Sequence, residues 1–312
     1  MSRKLRYLPR PDCTFEVVSK VIHGRLLMRP SAETNSIILG VLGRALALFP
    51  VRLHVFAFVS NHFHLIATTP DFLTLSSFMC FLCGNVARRV GKHVGWRERF
   101  WGRRFSATPI EDDMALRRRI RYVLSHGCKE NLVLSPRDWP GPNCIGALTR
   151  GERLTGIWHE QEREYDSRKN GRTGREHVIE YEVRLEPPPG WEELSENERR
   201  MRFERIVCDI ERETAKRLLR EKKTVLGPRR VMEQSPFSMP AQTKQSPAPP
   251  CHASSARAIK EYLDGYKEFV AAYREASERL KTGEMKGAVI FPEHCFPPGL
   301  PYTEDGVVLE SS

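Results

Sequence analysis

Long apolar runs are missing from this 312-residue chain. No stretch approaches the ~20 consecutive apolar residues that a membrane helix needs, so no membrane partner is expected. The basic opening MSRKLRYLPRPDC is followed by no apolar segment. No secretory signal is therefore expected, and the cytoplasm is the default location. A disulfide framework is missing too: the eight cysteines are scattered without regular spacing and read as reduced thiols. There is no internal repeat. Tyrosine is scarce in the first half, where residues 1–150 hold only Tyr7 and Tyr122. Negative charge is scarce there as well. Residues 1–150 carry 23 Lys and Arg against 10 Asp and Glu, whereas residues 151–312 carry 27 against 29. The whole net charge of +11 thus originates in the first half, which suits a polyanionic partner as well as it suits a merely basic surface.

What is present alternates between the two common periods. Thr14–Ile22 is β-rich and reads as a strand. Residues 36–49, apolar all round, read as a buried helix. Leu53–Phe58 and His62–Thr68 flank Ser60-Asn61 and read as a hairpin. Leu73–His93 reads as a long helix ending in cations, and Arg104–Ile110 as a short strand. Glu111, Asp112 and Asp113 open a helix expected to run to about Gly127. This order predicts an α+β domain, an antiparallel sheet with helices on one face, over residues 1–150. Residues 151–233 read as a mixed extension with a strand at Val178–Leu185 and a charged helix over 192–223. Residues 234–255 are rich in Pro and Ser and read as a linker or extended arm. Residues 256–312 read as a C-terminal helix and tail.

Two short patterns carry chemistry. In His62-Phe63-His64, within a strand, both imidazoles project from one face and Phe63 enters the opposite layer. Neighbouring neutral imidazoles suit a divalent metal, although an isolated pair also occurs in sheets by chance. On the following helix, Tyr122 and His126 stand one turn apart and share a face. A tyrosine hydroxyl beside a metal can be a nucleophile; a packed tyrosine and a helix-terminal histidine are the plain alternative. Arg117, Arg118, Arg119 and Arg121 crowd the same helix. A charge run is usually a solvated face, but beside a candidate nucleophile it also suits a phosphate backbone. Trp96, Trp101 and Phe105, interleaved with Arg97, Arg99, Arg103 and Arg104, suit either stacked bases or a closed core. Cys80 and Cys83 have no ligand partners at metal spacing and read as small core residues. His54, on the neighbouring strand, reads as a packed or surface histidine, with support of the metal site as the alternative.

Taken together, these blocks resemble a family. Ser60-Asn61-His62-Phe63-His64-Leu65, then Phe100-Trp101-Gly102-Arg103-Arg104-Phe105, Ile120-Arg121-Tyr122-Val123-Leu124, Asn131-Leu132-Val133 and Asp138-Trp139-Pro140 are similar to the REP-associated tyrosine transposases, within the HUH single-tyrosine transposases. The resemblance spans roughly residues 5–147. It implies a ferredoxin-like or RRM-like domain in which His62, His64 and His126 hold Mg²⁺ or Mn²⁺. Tyr122 would attack a phosphate of single-stranded DNA, leaving a 5′-phosphotyrosine and a free 3′-OH. Arg103, Arg104, Arg117, Arg118 and Arg121 would hold the DNA. Hairpin repeats would be the target, and a homodimer is expected from the family alone. His126-Gly127-Cys128 stands where the family commonly has Asn-Pro-Val, so the third ligand departs in type. The 58 residues from His64 to Tyr122 favour the transposase order over a replication initiator or relaxase. A domesticated DNA-binding protein that no longer cuts is the rival from another class.

Overall fold

The first strand, β1 (Cys13–Lys20), is buried along almost its whole length, and the sheet grows outward from it. The computed structural model describes residues 5–160, 177–240, 249–282 and 289–295. After β1 come α1 (Ala32–Leu48), the hairpin β2 (Arg52–Val59) and β3 (His62–Thr69), α2 (Phe72–Val94), β4 (Ser106–Pro109) and α3 (Asp113–Leu124). Each of these helices starts where a side chain satisfies an exposed backbone N–H. Ser31 accepts from Thr34, Asp71 from Thr74 and Asp112 from Ala115. Helix α2 stops at Gly95, whose φ of 75° a side-chain-bearing residue rarely adopts.

The strands lie in the order β2-β3-β1-β4, all antiparallel. Together with the β-α-β-β-α-β succession, this is the split βαβ arrangement. The registers set two distinct faces. Phe15, Val17, Phe63 and Leu65 point one way. Phe15 meets Phe72 of α2 at 5.1 Å, and Phe63 stacks on Phe58 at 4.7 Å. Helix α1 packs along α2. Helix α3 does not join them: it lies on the opposite face, over β2 and β3. The expectation of helices on one face therefore fails for α3. Its apolar residues Leu116, Ile120 and Val123 have a second buried sheet surface to cover, because Val55 and Ile66 are as buried as the residues beneath α2.

Past Leu124 come α4 (His126–Lys129), α5 (Ile145–Arg150), β5 (Thr155–His159), β6 (Val178–Glu182), α6 (Glu196–Glu221), α7 (Pro228–Glu233) and α8 (Ala256–Lys281). These elements pack onto the first half. The β5–β6 hairpin lies against α1 at a glycine pair: a Cβ on Gly156 would stand 2.1 Å from the Gly40 nitrogen. Trp158 of β5 stacks on Phe81 at 5.7 Å, with the Arg89 and Arg44 guanidinium groups 3.7 and 4.3 Å from its ring. Strand β5 was not foreseen, because its burial comes from α1 and α2 rather than from a pattern of its own. Helix α6 is tied back by Arg137 to Glu204 and Glu211 and by Arg217 to Asn131 and the Cys128 carbonyl. One apolar core runs from Leu8 to Val231. Helix α8 closes over the other end, where Tyr7 meets Tyr262 and Phe269 at 5.4 and 5.3 Å.

Of the segment read as a linker, residues 241–248 lie outside the described residues, as do 283–288 and 296–312 of the tail. Cys80 is exposed and Cys83 only half-buried, so the pair is not the core feature the apolar helix suggested: α2 turns its Leu75, Phe78, Met79 and Leu82 inward instead. No described helix is long and apolar enough to cross a membrane.

Candidate active site

Strand alternation places His62 and His64 on the face beneath α3, with Lys20 and Val18 of β1 paired beside them. Phe63, between them, is fully buried in the opposite layer and meets Trp101 edge-on at 5.5 Å. The third histidine comes from α4. Helix α3 ends at Ser125, whose hydroxyl donates to the Tyr122 carbonyl at 2.9 Å, and the chain restarts as α4 at His126. The single helix expected to run to Gly127 is thus broken. Gly127 itself is pressed against Val133 and Trp139, where a Cβ would stand 3.0 and 3.2 Å from them. The break does not separate the two groups read from the sequence, since the Tyr122 and His126 rings lie 5.3 Å apart.

His62, His64 and His126 converge with their ligand atoms all within 4.8 Å of one another. Their hydrogen bonds orient the lone pairs. His62 Nδ1 lies 2.6 Å from Asn61 Oδ1, and His64 Nδ1 lies 2.9 Å from Glu16 Oε1. Amide and carboxylate oxygens only accept, so both Nδ1 atoms carry the proton and both Nε2 atoms present lone pairs. His62 Nε2 meets His126 Nε2 at 2.5 Å, and His126 Nδ1 is buried with no partner among the described residues. Two nitrogen lone pairs facing one another repel, and a proton or a cation between them relieves the repulsion. Burial, followed by the charge of His64, pushes His62 and His126 well below the usual histidine range. Burial also lowers His64, against the pull of Glu16. Three neutral imidazoles converging at one point fit a divalent metal.

Glu16 is the residue the sequence reading missed. It sits on β1, 4% exposed, among buried neighbours. Its Oε1 accepts from His64 and from Arg119 Nη2 at 2.6 Å, and its Oε2 from His252 Nε2 at 2.7 Å. Burial alone would raise its pKa. The hydrogen bonds from His252 and His64, with the charge of Arg119, outweigh burial and hold the carboxyl well below the usual range. An acid in an apolar strand was the available signal, since a buried acid demands partners.

Tyr122 is half-buried at the edge of the triad, its ring 5.6 Å from that of His64. The Arg119 guanidinium lies 3.8 Å from its ring centre and the Lys129 ammonium 4.3 Å. Lys20 completes a cationic rim. Burial and then nearby Arg103 lower its pKa. The arginines singled out in the sequence sit farther out. Arg103, Arg104, Arg117 and Arg118 are exposed. Arg117 pairs with Asp113 at 2.9 Å, and Arg121 pairs with Glu213 of α6. Trp101 belongs to the core, its indole N–H donating to the Cys83 carbonyl at 2.8 Å. Phe105 lies under Arg6, 4.0 Å from its guanidinium. His54 is packed away from the triad, between Thr68 Oγ1 at 2.8 Å and the Glu186 carbonyl at 3.0 Å.

No family model and no curated protein matches the chain. Among solved structures it is similar to a REP-associated tyrosine transposase bound to a REP hairpin. The TM-score is 0.40 and the identity 18%, over 48% of this chain and 87% of that one. It is also similar to a candidate transposase from Deinococcus radiodurans, with a TM-score of 0.29 and 14% identity, over 39% of this chain and 94% of that one.

Proposed function

We propose that the chain is a single-strand DNA nuclease and strand transferase of the HUH transposase kind, with Tyr122 as nucleophile and His62, His64 and His126 as ligands of a divalent cation. The observation that carries this reading is the placement of Tyr122 at the edge of three convergent neutral imidazoles, inside a rim of Lys20, Arg119 and Lys129. The cation, Mg²⁺ or Mn²⁺, would supply charge that offsets the negative charge gathering on the phosphate in the transition state. An all-imidazole set favours Mn²⁺ of the two, since Mg²⁺ prefers oxygen ligands.

The chain's own residues do the rest. Lys20, Arg119 and Lys129 attract a phosphate to the rim, with Arg103, Arg104, Arg117, Arg118 and Arg121 holding the strand on either side. Arg119 and Lys129 keep the Tyr122 ring facing the triad. The Tyr122 oxygen loses its proton and bonds phosphorus. The bond to the 3′ oxygen breaks, and that oxygen takes a proton and leaves as a 3′-OH. A 3′-OH then attacks the phosphotyrosine and restores both a phosphodiester and free Tyr122. Bond energy is conserved throughout, so no nucleotide cofactor is required. We assign residues 1–150 to this activity, and hairpin-bearing repeats as its substrate.

The test is a denaturing gel of the protein with end-labelled single strands, hairpin and unstructured, in Mn²⁺ and in EDTA. The expected result is a Mn²⁺-dependent covalent band that vanishes in Tyr122→Phe, while DNA binding stays within about two-fold because only a hydroxyl is lost. A band that persists in Tyr122→Phe refutes the nucleophile. Binding without any band in wild type favours a DNA-binding protein that no longer cuts.

A further inference from the structure

The buried carboxylate of Glu16 has donors on both of its oxygens, and one of them arrives from 236 residues away. His252 belongs to the Pro/Ser-rich segment, outside the part of the chain that carries the tyrosine and the triad. We propose that His252 is a positioning residue of the metal site, locking the Glu16 carboxylate so that it holds His64 in the orientation and tautomer that ligation needs. This rests on the metal reading above and extends it to a residue of the C-terminal half.

Three observations carry the assignment. First, His252 Nε2 donates to Oε2, the one Glu16 oxygen that neither His64 nor Arg119 occupies. Second, the backbone around His252 is fixed without its side chain. His252 N donates to the Pro109 carbonyl at 2.8 Å, Glu111 N donates to the His252 carbonyl at 2.9 Å, and Ser254 N donates to Asp112 Oδ2 at 2.6 Å. The segment runs parallel to the end of β4 at Ile110. Since these bonds already pin the segment, the imidazole is left to act on Glu16. Third, the chain of contact is continuous: His252 to Glu16 Oε2, Glu16 Oε1 to His64 Nδ1, and His64 Nε2 to the point where the three imidazoles converge. A carboxylate behind a ligating histidine fixes the ring and raises its basicity, and losing such support typically costs about 10–100-fold in metal affinity. Without His252 the buried Oε2 has no donor among the described residues, so the carboxylate is free to turn, and turning weakens its hold on His64.

The experiment is Co²⁺ binding by the full chain, followed by visible absorption and by competition with a chelator, with no DNA present. His252→Ala is expected to bind about 10–100-fold more weakly than wild type. His252→Gln, which restores an N–H donor of similar reach, is expected to recover most of that loss. Because His252→Ala leaves a buried charge exposed to misfolding, the same substitution is also made in Glu16→Gln. There it should have no further effect, since the carboxylate through which His252 acts is gone. Wild-type affinity in His252→Ala, equal losses in Ala and Gln, or a further tenfold loss in the Glu16→Gln background would each overturn the proposal while leaving the triad intact. Failure of the wild-type chain to bind Co²⁺ at all would instead refute the metal reading, and this inference with it.

Discussion

On one face of the sheet Phe15, Phe63 and Leu65 are sealed beneath α2. One residue along the same strands, on the other face, stand Glu16, His62 and His64 beneath α3. Both faces are buried, yet they are held in different ways. The first is apolar and gains roughly 25 cal/mol for each Å² removed from water. The second is stitched by polar pairs: Thr14 to Thr68 at 2.7 Å, Thr68 to His54, and Glu16 to three donors. Paired polar groups return little net stability, because each gives up its bonds to water. The α2 face therefore stabilises the fold along its whole length, while the α3 face adds to its apolar contacts a polar cluster that contributes little stability.

Four measurements test that contrast. The largest effect is expected on the α3 face. His62→Ala removes one of the three proposed ligands and should weaken Mn²⁺ or Co²⁺ binding by more than about 100-fold, beyond what loss of a supporting residue costs. Its urea midpoint should stay close to wild type, because no apolar core residue is removed. A midpoint that falls with metal binding retained would contradict the division. One position along, Phe63→Ala should do the reverse. It is expected to cost about 3–5 kcal/mol in urea unfolding, with metal affinity of the folded fraction little changed.

The third measurement concerns pH. Burial, against the Glu186 carbonyl, holds the His54 pKa down to about 4. Its value in the unfolded chain is about 6.5. The unfolded state therefore takes up the proton first. The stability tied to neutral His54 is complete above about pH 6.5 and is lost as pH falls through about 4, roughly 3 kcal/mol in all. His54→Gln should flatten this part of the dependence. The quantity to compare is the difference between wild type and variant from pH 7 to pH 4, since the triad also resists protonation. Identical slopes would show that His54 is not buried as described. The smallest effect belongs to the attachment of β5. Gly156→Ala forces a methyl group onto the α1 backbone and should cost about 1–3 kcal/mol, with the triad's metal affinity unchanged. A neutral result would mean that the hairpin does not lie on α1.

Much of the site could be read locally. The pair His62 and His64 followed from strand alternation, and Tyr122 and His126 from the helical turn, despite the break at Ser125 that periodicity did not reveal. The cap at Asp112 and the stop at Gly95 likewise belong to short-range backbone chemistry. Glu16 is not legible as a site residue, because a lone acid within a strand has no local pattern that names its partners. In the sequence Arg119 is one of a run of arginines suited to a phosphate backbone, yet it bonds Glu16 and covers Tyr122.

By itself, then, the order of residues determined which side chains share a face, where helices begin and which half carries the positive charge. Periods of two and 3.6 residues, and caps within four residues, act whatever the rest of the chain does. Only the tertiary structure decided that α3 covers the second face of the sheet, that β5 lies on α1, and that His252 closes onto Glu16. Those outcomes depend on which buried surfaces and unpaired donors remain once the sheet has formed, and hydrogen bonds across 236 residues leave no trace in a local pattern.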